Sequence, residues 1–248
     1  SWATNLLGSV VPTPSAANPE TVNASGPYSN LFLIDRQTDA VTLVTDGYDG
    51  SPANQDTYGG QLFGSDRYIG FVSDASNLVA GDANNEADVF VYDTVTETTE
   101  LVAVTHDGTP ANDRIGSAGF SADGRYVGFS TNATDIITGD NNGKGDVFVI
   151  DRTTGTVVLA SKANDGTQGN GNSQFMAISP DGNYVMFHTD ASNLAAGDSN
   201  NEKDNFIYDR VGDSITLVSK SNSDGTIGNS TSRWGGAFSA DSRYAMFG

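Results

Sequence analysis

The chain has 248 residues, with 29 Gly, 37% apolar and 17% charged residues, a composition that suits a turn-rich β protein with a sizeable core rather than a helical bundle or a disordered tail. Its formal charge of −19, from 31 acidic against 12 basic residues, disfavours nucleic acid and anionic membranes as partners and favours divalent cations, whose natural ligands are carboxylate and amide oxygens. The chain contains no Cys, which removes disulfides, zinc-thiolate sites and thiol catalysis, and it has no apolar run long enough to predict membrane insertion.

The chain opens on SWATNLLGS and a Pro-rich stretch running to Asn30, followed by NLFLIDRQTDAVTLV at 30–44, which reads as two short strands joined by a polar turn. A repeat then becomes explicit. FGSDRYIGFVSDASNLVAGDANNEADVFVYD, ending at Asp93, recurs with its end at Asp151 and again at Asp209. Tyr68, Tyr126 and Tyr184 mark the repeat, as do Phe90, Phe148 and Phe206, each step being 58 residues.

Period-two alternation and turn signals predict four strands per unit, in the middle copy Ser117 to Phe120, Tyr126 to Ser130, Asp146 to Asp151 and Val157 to Ser161. Ala-Asp-Gly at 122–124 and Thr-Thr-Gly at 153–155 supply the hairpin turns. The chain finishes on SADSRYAMFG, the first two strands of a further unit, while SWATNLLGS matches the DASNLVAGD segment that would follow it.

Four antiparallel strands per repeat make a propeller blade. The expected fold is therefore an all-β, four-bladed β-propeller occupying 1–248 as one domain, with blades at 58–103, 115–161 and 173–219 and a closing blade shared between 234–248 and 1–45. An eight-bladed dimer made by exchange of half-blades and a piece of a longer array are the competing arrangements. SADGRYVGFS at 121–130 and GDVFVIDRTTGT at 145–156 resemble the TolB-type propeller repeats of secreted and surface proteins, in their long-loop, calcium-stabilised form. That resemblance covers nearly the whole chain and implies a protein-binding, glycan-binding or scaffold role outside the cytoplasm, extracellular, at the cell surface or in the periplasm.

Between the second and third strands, three blades carry Gly-Asp-x-Asn-x-x-x-Asp: Asp82, Asn84 and Asp88; Asp140, Asn142 and Asp146; Asp198, Asn200 and Asp204. Oxygens at loop positions 1, 3 and 7 suit a cation that takes six to eight oxygen ligands, so about three equivalent structural calcium ions are expected, each held with modest affinity for want of a bidentate Glu. Position 5 is Glu86, Lys144 or Glu202, and Lys cannot coordinate, so these are left out. The competing reading is that Asp and Asn only make Asx-turns. The loop at 8–30 has no Asp and is expected to hold no metal. Asp35, Asp93, Asp151 and Asp209, which end the third strands, are expected to cap the next turn.

No catalytic residues are assigned. The two His, His106 and His188, occupy non-equivalent places with no nucleophile motif beside them. Trp2 and Trp234 depart from the repeat near the Pro-rich insertion and are candidates for stacking on a ligand, or for packing the closure. The function expected is a calcium-stabilised binding, adhesion or scaffold module for a glycan or protein partner, monomeric or part of a larger assembly. The alternative is a propeller-fold polysaccharide hydrolase or lyase using acids outside the repeat, such as Glu20 or Glu100.

Overall fold

The computed structural model describes residues 27–105, 107–196, 198, 202–220 and 235–248. Among them are sixteen strands and no helix. β1 (Phe32–Ile34) and β2 (Val41–Leu43) form an antiparallel hairpin. Three four-stranded antiparallel blades follow: β3 (Thr57–Phe63), β4 (Tyr68–Ser73), β5 (Asp88–Asp93) and β6 (Thr98–Leu101); β7 (Ile115–Phe120), β8 (Tyr126–Thr131), β9 (Asp146–Asp151) and β10 (Thr156–Leu159); β11 (Ser173–Ile178), β12 (Tyr184–Thr189), β13 (Asp204–Asp209) and β14 (Ser214–Leu217). β15 (Gly236–Phe238) and β16 (Ala245–Phe247) close the order as a second hairpin.

Among the described residues the chain is thus an all-β propeller with the strand complement of four blades, arranged as three complete blades and two hairpins. Those two hairpins remain separate two-stranded sheets. The first hairpin leans on the first complete blade, where Leu31 and Leu33 pack against the cluster of Ile69, Phe71 and Phe90. The last leans on the third, where β15 runs beside β11.

Three strands of the middle blade begin or end away from the expected boundaries. β7 starts at Ile115 because a bulge between Ile115 and Ser117 breaks the alternation that marks a strand in sequence. β8 runs one residue further, to Thr131, and β10 covers Thr156–Leu159. It ends early because the Ala160 N–H turns back to Val147 O at 2.8 Å.

The middle strands are apolar on both faces because each blade is sandwiched. Along β9, Phe148 and Ile150 face the first blade's cluster, while Val147 and Val149 join the third's. One phenylalanine pair recurs at the centre of every complete blade: Phe71–Phe90, Phe129–Phe148 and Phe187–Phe206 are cross-strand partners with ring centroids 5.7 Å apart.

Neighbouring blades approach closely at glycines, Gly70 and Gly128 among them. A Cβ on Gly70 would lie 2.2 Å from the Phe120 ring, and one on Gly128 would lie 2.4 Å from Phe175. In the third blade the equivalent residue is Met186, and there it is Gly236 of the next hairpin that makes room, since a Cβ on it would fall 2.8 Å from Met186 Sδ. Gly128→Ala is therefore expected to destabilise the fold by about 1–3 kcal/mol through overpacking, measured as a lower urea midpoint at unchanged slope.

Candidate calcium loops between the second and third strands

The third strand of each complete blade begins with the last Asp of a loop, and burial of that strand takes the carboxylate inside with it. Asp88 and Asp146 are 0% exposed and Asp204 1%, and Asp82, at the start of its loop, is 8% exposed. Burying a charge is costly unless it is paired. Among the described residues, no Lys or Arg acts on Asp82 or Asp88.

The Asn at position 3 acts as a clamp. Asn84 Nδ2 donates to Asp88 Oδ2 at 2.7 Å and to Ala111 O at 3.0 Å, while its Oδ1 accepts from the Glu86 N–H at 3.0 Å. Asn142 repeats the pattern with Asp146 Oδ2 at 2.8 Å, Gly169 O at 3.1 Å and the Lys144 N–H at 2.8 Å. The Asx-turn is therefore real at both Asn residues, and the amide also ties each loop to the connection leading into the next blade.

The Asp residues are not consumed in this way. Both carboxylate oxygens of Asp82, both of Asp140, and Oδ1 of Asp88 are buried without a hydrogen-bond partner. The N–H groups of Asn84 and Asn142 offset part of the burial penalty on Asp82 and Asp140, but neither reaches hydrogen-bond geometry. Burial pushes the Asp88 carboxyl up to about 7, with Asn84 opposing and the charges of Asp82 and Glu86 adding to it. Burial also raises Asp146, to about 6, against hydrogen bonds from Ser161 and Asn142.

These atoms fit a hard cation in kind: two carboxylates per loop, an amide oxygen with a second lone pair, and backbone carbonyls nearby. Among the described residues no group of three His, Asp or Glu side chains converges, so a cation here would rely on neutral oxygens for the rest of its shell. In the third loop Asp204 Oδ1 accepts from Ser219 Oγ at 2.6 Å. Asp198 is described, whereas Asn200, Trp2, Trp234, His106 and Glu20 lie outside the described residues.

The strand-end Asp residues cap their turns as expected. Asp35, Asp93, Asp151 and Asp209 accept from the N–H groups of Gln37, Val95, Thr153 and Val211 at 2.7, 2.8, 3.0 and 2.9 Å. Asp93 and Asp151 also hold Arg67 and Arg125 in ion pairs at 2.6 and 2.8 Å. Glu100 is engaged in an ion pair with Arg152, whose guanidinium lies 5.3 Å from the Tyr68 ring centroid.

A second polar group sits in the third blade, where the first two blades are largely apolar. Gln174, His188 and Asn205 are neighbours on adjacent strands, and they replace Gly116, Ser130 and Val147 of the middle blade. His188 Nε2 bonds Gln174 Oε1 at 2.8 Å, leaving His188 Nδ1 and both side-chain polar atoms of Asn205 buried without partners. Burial, then Lys203, lowers the His188 pKa, and Asp190 opposes them. The signal was available in sequence as three departures from the repeat, although only alignment across β11, β12 and β13 shows that they meet.

Two measurements follow from these geometries. Asn205→Val, which restores the residue type of the other blades, is expected to stabilise the protein by about 1–3 kcal/mol by removing unpartnered buried groups, read from denaturant unfolding. Asp88 and Asp146 have folded pKa values above the ordinary 3.8, so the folded state holds their protons more tightly than the unfolded chain does. Their contribution is complete below about pH 4 and is lost as pH rises through about 6 to 7. In chelator, the melting temperature should therefore fall between pH 5 and 7.5, and Asp88→Asn should flatten that fall.

No family model and no curated protein matches the chain by sequence. Among solved structures it is similar to TolB from Acinetobacter baumannii, with a TM-score of 0.50 and 17% identity over 88% of this chain and 42% of that one. It is also similar to a putative TolB from Agrobacterium tumefaciens, with a TM-score of 0.45 and 16% identity over 84% of this chain and 61% of that one. The chain thus spans less than two thirds of either protein. At this identity the likeness to the Acinetobacter protein is one of fold: the chain folds as a TolB-like β-propeller.

Proposed function

We propose that the chain is a calcium-stabilised binding or adhesion module that works outside the cytoplasm and presents its propeller to a protein or glycan surface. The observation that carries the calcium reading is the set of buried, unpartnered carboxylate oxygens on Asp82, Asp88 and Asp140. A native fold rarely leaves such atoms without a partner. A bound calcium ion would supply the missing positive charge and oxygen-coordinating centre.

The residues that would hold it are Asp82, Asn84 and Asp88 in one loop and Asp140, Asn142 and Asp146 in the next, with Asp198, Asn200 and Asp204 as the proposed third set. Through Asn84 and Asn142 each loop is already tied to the connection entering the following blade. A cation there would fasten blade to blade rather than take part in chemistry. Two carboxylates without a bidentate Glu suit the weak end of the calcium range, around 10⁻⁴–10⁻³ M, which is filled where free calcium is abundant. This supports an extracellular, cell-surface or periplasmic setting.

A binding role is the reading that agrees with how these acidic residues are spent. The strand-end Asp residues cap turns, and Glu100 is held by Arg152. Thermal unfolding in chelator and in roughly 10–100 mM calcium, a hundredfold excess over that Kd range, tests the metal reading. Saturating one site at a hundredfold excess over its Kd is expected to raise Tm by roughly 5–10 °C for a chain of this size. An unchanged Tm would leave the loops as Asx-turn structure alone.

A further inference from the structure

We infer that the candidate calcium loops are unequal and that the loop of Asp82 and Asp88 fills first, because Ala103 leaves Asp88 Oδ1 without the hydroxyl donor that the other blades provide. The inference rests on the calcium reading above and concerns the order of filling.

The position fifteen residues after the strand-opening residue carries the argument. In the middle blade it is Ser161, whose Oγ donates to Asp146 Oδ1 at 2.5 Å. In the third it is Ser219, donating to Asp204 Oδ1 at 2.6 Å. In the first hairpin it is Thr45, donating to Oδ1 of Asn30, the residue that stands where the Asp would be, at 2.9 Å. In the first complete blade it is Ala103, itself 0% exposed, and the facing oxygen of Asp88 is buried and unpartnered.

The serine proton is committed in the two later blades. Ser161 Oγ accepts the Val147 N–H at 3.1 Å and Ser219 Oγ accepts the Asn205 N–H at 3.0 Å, so each hydroxyl is oriented with its hydrogen toward the carboxylate. With Asn142 on the other oxygen, Asp146 has a donor on each of its oxygens before any cation arrives. Asp88 has only the Asn84 donor, on Oδ2. A short hydrogen bond to a carboxylate draws off negative charge and occupies a lone pair. The Asp82–Asp88 loop therefore offers a cation the less neutralised negative charge and the freer oxygen.

Calorimetric titration of calcium into chelator-stripped wild type, Ala103→Ser and Ser161→Ala proteins decides the matter. Wild type is expected to show one step tighter than the rest. Ala103→Ser should weaken that step about tenfold, the equivalent of one charge-assisted hydrogen bond, and Ser161→Ala should tighten a later one. Ser already occupies the equivalent place in two blades, and melts in chelator report whether Ala103→Ser folds. If it does not, Ser161→Ala alone remains decisive, since a weaker or unchanged later step overturns the ranking. A tight step that Ala103→Ser leaves in place overturns it as well. Absence of any binding heat in all three proteins removes the calcium reading and the ranking together.

Discussion

The structure depends on a single constraint: a four-stranded blade of this repeat is apolar on both faces and cannot bury either of them alone. Val147 and Val149 need the third blade, and Phe148 and Ile150 need the first. Stability is then a property of stacking, as in other repeat architectures where each unit contacts its neighbours. The central Phe pair keeps the same 5.7 Å separation in all three complete blades, because in each blade the two rings are cross-strand partners on the middle strands and share one buried cluster. The close approach of blades at Gly70 and Gly128 follows from the same demand. An aromatic ring from the next blade fills the space a side chain would have taken.

That stacking explains the polar layer around it. Long loops between second and third strands have to be fastened at the blade edge, and Asn84 and Asn142 do this by reaching carbonyls in the following connection. Arginines fasten the opposite end. Arg152 pairs with Glu100 of the preceding blade, and the Arg210 guanidinium lies 3.8 Å from the Tyr126 ring centroid. Such contacts cost side-chain entropy, but they lie at seams where apolar area is already excluded from water, so the guanidinium gains from ring and carbonyl together.

Against this background two groups stand out because they add cost instead of removing it. Buried carboxylates on Asp82, Asp88 and Asp140 have oxygens facing no donor, and the His188–Asn205 pair leaves three polar atoms unmatched. Local rule-breaking of this kind is expected at functional positions. The two cases differ in recurrence. The carboxylates belong to loops repeated from blade to blade, which suits a structural cation. The His188 group occurs in one blade, outside the repeat pattern, so it is not explained by what holds blades together.

The sequence by itself determined the repeat, the four-strand order, the turn-capping Asp residues and the loop carboxylates. Those features recur with fixed spacing, and alternation, turn chemistry and oxygen-ligand spacing are local properties of the chain. It placed β7 short because a bulge hides the alternation at Ile115, and it treated the three Asp-x-Asn loops as equivalent because their own residues are equivalent. Only the tertiary structure decided that Asn84 and Asn142 spend their amides as clamps, and that Gln174, His188 and Asn205 meet. It also decided which carboxylate oxygens lack a partner. Asp88 and Ala103 are separated by a whole hairpin, and the presence or absence of a hydroxyl beside a buried oxygen is settled by which strands pair and how deeply they are covered.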